Sequence, residues 1–381
     1  MQIYSSPQEC CGCSACKHIC PSQAVTMQPD SEGFLYPVTD NAKCINCGAC
    51  KKVCPVSGKH SQNHARKAFA VKHKDYDTRI TSRSGGVFIA ISDYVLKRNG
   101  TVYGAGFSDD LSVCHLRTET AKERNRLKGT KYVQSDVADT FSKVKADLKN
   151  GMYVLYSGTP CQIAGLMNYL KNTDTEKLIT CDIICHGVPS PQIYADYLKY
   201  CEKKYGGKVT KFDFRDKTFG WRSQKEAIWV DDKKYNTNEY AYLFSGLDVY
   251  RPACYECKFA NIDRPADFTL GDFWGIDVLV KGFSDNKGVS LLFLNTDKAE
   301  AVFDSITNDI DYEPTVIDKV IPFNPNLYRP TAVPKDREKF WKNYHKKGFN
   351  YVLKKNYNKI FRKRVVQKLN EKKDNIIKKF K

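Results

Sequence analysis

A cysteine pattern written twice constrains this chain more than any other feature. Cys10-x2-Cys13-x2-Cys16-x3-Cys20-Pro21 recurs as Cys44-x2-Cys47-x2-Cys50-x3-Cys54-Pro55. In such a run a tight loop places three thiolates on three corners of an Fe4S4 cube, and the fourth cysteine starts a helix that leads to another cube. Crossed ligand sets follow: Cys10, Cys13, Cys16 and Cys54 for one [4Fe-4S] cluster, and Cys44, Cys47, Cys50 and Cys20 for the other. Zinc would favour two separated pairs over triplets with a trailing Cys-Pro. Cys11 is left over and reads as a packing thiol.

Nine of the 16 cysteines fall between Cys10 and Cys54, and seven are spread from Cys114 to Cys257. Residues 1–9 show neither a basic start nor an apolar core, and no apolar run approaches the ~20 residues of a membrane span. The expectation is a cytoplasmic chain, where so many thiols act as metal ligands or redox groups rather than as disulfides. With 381 residues, 41% hydrophobic and 27% charged, the chain has room for two or three domains, and disordered and fibrous classes are excluded.

Residues 1–58 read as a 2[4Fe-4S] ferredoxin-like domain, and the polar stretch 56–66 as a linker. From Ala68 strands and helices alternate. Strands are expected over 68–72, 101–107, 152–157, 178–185 and 209–214, helices over 86–97, 163–170 and 191–206, and a buried strand over 288–295 closes the body. That alternation over 67–334 predicts an open, mixed α/β sheet.

The body holds a second set of chemically suggestive residues. Gly158, Thr159 and Cys161 sit between a strand and a helix, where functional groups emerge from α/β sheets. Cys181 and Cys185 share one strand face by period two, His186 follows Cys185, and Cys254-x2-Cys257 comes later. Cys161, Cys185, Cys254 and Cys257 could fold into a third cluster; a zinc pair and plain core packing are the alternatives. Ser82, Arg83, Ser84, Gly85 and Gly86 precede a helix, which suits either a phosphate cradle or an ordinary cap. His186 is a candidate proton donor or a structural histidine.

Eight blocks, in order, carry a family resemblance: SRSGGVF (82–88), VYGAGF (102–107), LKGTKYVQSD (127–136), YSGTPCQIAGL (156–166), CDIICHGVPSP (181–191), FRDKTFGW (214–221), CYECKF (254–259) and GDFWG (271–275). Together they resemble the beta-subunit family of coenzyme F-420 hydrogenases and dehydrogenases, in particular its bacterial members with a ferredoxin domain in front. The resemblance implies FAD in the α/β body. Candidate flavin contacts are the Ser84-Gly85-Gly86 segment with Ser82 and Arg83, the segment Lys128, Gly129, Thr130, Lys131 and Tyr132, and Gly158 and Thr159. It also implies a third [4Fe-4S] cluster on Cys161, Cys185, Cys254 and Cys257. The expected fold is thus α+β: a two-cluster ferredoxin-like domain joined to a mixed-sheet flavin-binding body, with a basic helical tail.

Clusters pass electrons singly, whereas a flavin stores two and can deliver a hydride. The resemblance therefore implies a ferredoxin-linked, FAD-dependent reductase or dehydrogenase. Its electrons come from ferredoxin or another redox protein and go to a small-molecule acceptor, sugar- or polysaccharide-related ahead of coenzyme F-420. The competing expectation is an electron-transfer subunit that feeds a separate catalytic partner. Residues 335–381 hold 18 Lys/Arg against four Asp/Glu, most of the net +18, with Tyr357, Phe361, Val365 and Leu369 at steps of four. Such a basic amphipathic extension suits a partner groove or the inner face of a membrane, or simply packs on the body. Nucleic acid is not expected, since no recognition module is present.

Overall fold

The two cysteine triplets fold alike because matching backbone positions turn left-handed in both. Gly12 (φ 73°) and Ser14 (φ 63°) in the first correspond to Asn46 (φ 53°) and Gly48 (φ 73°) in the second. Each triplet then runs into a single-turn helix, Ala15–His18 or Ala49–Lys52. Between the two lies an antiparallel hairpin, Val25–Pro29 with Leu35–Thr39. This is a computed structural model, and it describes residues 2–58, 60 and 62–362.

Eight strands build the main sheet: β1 (Lys67–His73), β2 (Thr101–Phe107), β3 (Val113–Thr118), β4 (Val154–Gly158), β5 (Leu178–Ile183), β6 (Phe268–Asp272), β7 (Ser290–Leu294) and β8 (Ile310–Thr315). Their order is β8-β1-β7-β6-β5-β4-β2-β3. The central four, β6-β5-β4-β2, run parallel, and the flanking pairs are antiparallel. Period-two alternation sorts the side chains. Val102, Leu155 and Ile179 pack under helices α1 (Val87–Leu96) and α5 (Asp297–Ile306). Tyr103, Val154, Tyr156 and Leu178 face α2 (Thr140–Lys149) and α3 (Pro160–Tyr169).

Every strand and helix expected within residues 67–334 forms, but two expectations change. The 209–214 strand joins a separate three-stranded antiparallel sheet with Glu226–Val230 and Lys233–Thr237, beneath α4 (Pro191–Tyr205). The strand over 288–295 does not close the body, because β8 follows it at the sheet edge and pairs with β1. Residues read as a linker are held as well: Asn63–His64 pairs with Asp263–Arg264, and Lys258 Nζ donates to the Val56 carbonyl at 2.7 Å.

The second set of helices shares a core with the cysteine loops. Cys13, Ala15, Cys16, Cys50 and Val53 pack with Ile163 and Leu166 of α3 and with Phe141 of α2. The C-terminal stretch packs on the body to residue 362. Phe340 and Trp341 of helix Arg337–Lys347 are buried, as are Phe349, Val352, Leu353 and Ile360 of the helix over 349–362. Arg337 pairs with Glu32 and donates to the Tyr250 carbonyl at 3.0 Å. Tyr357 stacks on Tyr242 and Phe361 on Tyr357; Val365 and Leu369 lie outside the described residues. Among the described residues no helix is long and apolar enough to cross a membrane.

Candidate functional site

The N-terminal thiols gather in two crossed groups. Burial pushes the Cys16 thiol up to about 12, and Cys10 and then Cys54 add to the effect. Cys10, Cys13, Cys16 and Cys54 line one cavity of about 20 Å³ with Cys11. Cys50 is raised by burial and by the charges of Cys20 and Cys44, and Cys47 is exposed. Thiolates crowded in a low-dielectric space repel one another. The donor set therefore suits a cationic iron core that neutralises it.

A body arginine that sequence reasoning passed over docks this segment. Arg251 is fully buried, and its Nε donates to the Cys10 carbonyl at 2.6 Å. Its Nη1 donates to Gln134 Oε1 at 2.9 Å, and Nη2 donates to the Leu35 carbonyl at 3.1 Å and to the Cys10 sulfur at 3.4 Å. The guanidinium lies over the Tyr36 ring at 4.1 Å. Gly12 leaves the room, since a Cβ there would meet Gln134 Nε2 at 2.5 Å and Arg251 Nη1 at 2.8 Å. The available signal was a basic residue three positions before Cys254 in a chain whose N-terminus demands burial of thiolates.

Cys161, Cys185, Cys254 and Cys257 come together around a second cavity of about 50 Å³, which Cys11 also lines. Burial and then Cys161 and Cys257 push Cys185 up to about 12; burial and then Cys161 push Cys257 up to about 11. Backbone N–H groups of Gly187 and Val188 donate to the sulfurs of Cys185 and Cys254, both at 3.4 Å. Among the described residues no three His, Cys, Asp or Glu form a group that could hold a metal ion. Four cysteines around one cavity supply the donor set that a [4Fe-4S] cluster takes.

Period two does not place Cys181 and Cys185 together. β5 ends at Ile183, Cys181 packs in the core under α1, and Cys185 lies past the strand end, where the loop turns toward the thiol cavity. Arg264 fixes the opposite wall. Fully buried beside Asp182, it donates through Nη1 to the carbonyls of Phe259 (3.1 Å) and Asn261 (3.3 Å) and through Nη2 to that of Ile183 (2.8 Å). One guanidinium so ties the Cys254–Cys257 loop to the end of the strand before Cys185.

A larger cleft of about 320 Å³ opens at the carboxyl ends of the parallel strands, the usual ligand position in open α/β sheets. It is lined by all the residues proposed to contact a flavin except Gly85: Ser82, Arg83, Ser84, Gly86, Lys128 to Tyr132, Gly158 and Thr159. Gly85 lies beneath. A Cβ there would run into the Val71 carbonyl, and its N–H donates to Ser290 Oγ at 2.9 Å. Gly86 opens α1 at φ 90°. Lys217 is buried under the loop and donates to the carbonyls of Arg79, Ser84 and Lys287, each at 2.8 Å.

Individual roles shift within the cleft. The Arg83 guanidinium is engaged by the protein itself: Nη2 donates to Asp272 Oδ2 at 2.7 Å and Nη1 to the Trp221 carbonyl at 3.2 Å, while Nε is buried without a partner. Trp221 and Trp274 stack beside that pair, 5.3 Å between centroids. Lys128 donates to Thr81 Oγ1 at 3.2 Å; Lys131, pushed down to about 7 by burial, donates to the Lys128 carbonyl at 2.8 Å. Burial pushes the Tyr132 hydroxyl up, and Arg215 and Arg83 facing it more than reverse that. His186 lines the cleft and hydrogen-bonds Asn326, and burial shifts its imidazole below its ordinary range. His115, unremarked in the sequence, also lines the cleft, with Nδ1 2.8 Å from Ser135 Oγ and Nε2 3.1 Å from the Ser157 carbonyl.

The two cavities abut: Thr159, Gln162, Cys185, Gly187 and Val188 line both. Residues 151–319 match the C terminus of the coenzyme F420 hydrogenase/dehydrogenase beta subunit, and they include the core thiols and much of the cleft. Residues 151–319 therefore carry the C-terminal domain of that beta-subunit family. Residues 9–57 and 36–83 match 4Fe-4S dicluster domains, so an iron–sulfur domain precedes it. A chain in a solved structure of the F420-reducing [NiFe] hydrogenase complex from Methanosarcina barkeri is similar at 16% identity and a TM-score of 0.49, over 79% of this chain and 92% of that one. No curated protein matches.

Proposed function

We propose that this chain is an iron–sulfur flavoprotein oxidoreductase. It takes single electrons from ferredoxin or a similar redox protein and hands them in pairs to a small-molecule acceptor. Two N-terminal clusters would be held by Cys10, Cys13, Cys16 and Cys54 and by Cys44, Cys47, Cys50 and Cys20, and a third by Cys161, Cys185, Cys254 and Cys257. FAD would occupy the cleft. The clusters supply one-electron steps and the flavin the conversion to two-electron chemistry.

The shared wall between thiol cavity and cleft carries this reading, because it sets Cys185 against both. The chain's own residues do the rest. Exposed Cys47 puts the outer cage at the surface, where a redox partner can reach it. Cys50 lies close enough to Cys16 for their charges to interact, so the two N-terminal cages adjoin. Gly85 and Lys217 fix the loop below the cleft, and Arg215 and Arg83 hold Tyr132 in its wall. Tyr132 and His186 are the groups placed to move a proton there.

The acceptor classes to test are coenzyme F420, named for the family, and oxidised sugar derivatives. Anaerobic protein is reduced with ferredoxin while flavin absorbance is followed, and each acceptor is then added. Flavin bleaching by ferredoxin and its reversal by one acceptor class support the proposal. Absence of bound flavin after anaerobic purification and reconstitution contradicts it. Bleaching that no small molecule reverses points instead to a subunit feeding a separate catalytic partner.

A further inference from the structure

Cys161 lies in the first turn of α3, and Gly165 follows one turn later on the same face. Glycine weakens a helix interior, so its presence there calls for a packing reason. A Cβ at Gly165 would stand 2.8 Å from the Cys13 sulfur and 3.0 Å from the Cys13 Cβ. The helix face is thus pared to backbone where the first cysteine loop lands.

Beside that contact lies a thiol that neither cage claims. Cys11 shares one cavity with Cys13 and another with Cys161. It lines both thiol cavities, and Gln134 Nε2 donates to its carbonyl at 3.3 Å. Arg251 holds that same Gln134 through Oε1 at 2.9 Å. Mere packing explains the partial burial of Cys11, yet not its position between one cysteine of each cage.

We propose that Cys11 is the bridge across which single electrons pass between the first N-terminal cluster and the cluster at Cys161, and that Gly165 lets the cages approach this closely. This rests on the reading of both cages as cluster sites. In each transfer one cluster is oxidised by one electron and the other reduced by one. No bond forms or breaks, Cys11 keeps its oxidation state and its proton, and it acts as a positioning residue.

Full-length protein, reconstituted anaerobically, is compared as wild type, Cys11→Val, Cys11→Ser and Gly165→Ala. Iron and flavin contents are measured first. EPR spectra at full reduction then report spin coupling between neighbouring clusters, and stopped-flow follows flavin bleaching by reduced two-cluster ferredoxin. Cys11→Val, close to cysteine in volume, and Gly165→Ala keep wild-type iron, weaken the coupling and bleach at least about ten-fold more slowly. Cys11→Ser retains a small hydrogen-bonding group and stays within about three-fold of wild type. Wild-type coupling and rate in Cys11→Val overturn the bridge and leave the cluster sites standing. Wild-type protein with about eight rather than about twelve irons overturns the core cluster and the bridge together.

Discussion

Arg251 Nε donates to the Cys10 carbonyl at 2.6 Å while its Nη2 lies 3.4 Å from the Cys10 sulfur, so a buried cation of the body rests against the first cysteine loop. A positive charge there stabilises the more negative, reduced state of a thiolate-held cluster. Arg251→Met removes that charge and strands the Cys10 and Leu35 carbonyls and Gln134. We expect the potential of one N-terminal cluster to move negative, and docking of residues 9–57 to weaken by about 2–5 kcal/mol. EPR-monitored redox titration and the temperature at which cluster absorbance is lost check both. An unchanged potential contradicts the role assigned to the charge.

Gly85 has no space for a side chain, because a methyl group there would run into the Val71 carbonyl and stand 2.6 Å from the Ser290 nitrogen. Gly85→Ala must displace the loop that begins α1. The variant should keep its iron and bind flavin roughly 10- to 100-fold more weakly, the equivalent of about 1–3 kcal/mol of strain. Flavin release on dilution, read by fluorescence, measures it.

Asp182 and Arg264 form a fully buried pair whose arginine also ties down the Cys254–Cys257 loop. Arg264→Met leaves the carboxylate uncompensated, at a cost of about 3–5 kcal/mol, and should release iron from the core site first. Adding Asp182→Leu removes the orphan charge and should recover much of the stability. Chelator-driven iron loss and thermal denaturation distinguish the two variants.

The cysteine loops were legible because ligand spacing is local: each triplet with its Cys-Pro dictates the turn that forms. The central strands were legible for the same reason, since β4 opens on Val154, Leu155 and Tyr156 and β5 on Leu178 and Ile179. Long-range placement was not. Cys161, Cys185, Cys254 and Cys257 span nearly a hundred residues, so their spacing left zinc and core packing open, and the family resemblance favoured a cluster. Arg251 and Arg264 look like ordinary charged residues until folding buries them. Arg83 looked available for a phosphate, but Asp272, distant in sequence, takes its guanidinium. Cys11 looked spare because its two neighbours, Cys13 and Cys161, meet only in three dimensions.

His115 supplies a pH prediction. Burial holds its imidazole down to about 4, between Ser135 and the Ser157 carbonyl. The unfolded chain takes up that proton near pH 6.5, the fold only near 4, so the unfolded state binds more protons between those values. Stability from this group is complete above about pH 6.5 and is lost as pH falls toward 4, by up to about 3 kcal/mol. Guanidinium midpoints at pH 7.5 and 5.0 should fall further for wild type than for His115→Gln. Equal falls would show that His115 is not the group involved.

Whether one chain carries three cages and a flavin is decided by the iron, sulfide and flavin content of anaerobically reconstituted wild type beside Cys254→Ser. We expect about twelve irons, about twelve sulfides and one flavin per wild-type chain, and about eight irons with the N-terminal EPR signals retained in the variant. Wild type with about eight irons, a core site filled by zinc, or a preparation that binds no flavin would contradict it.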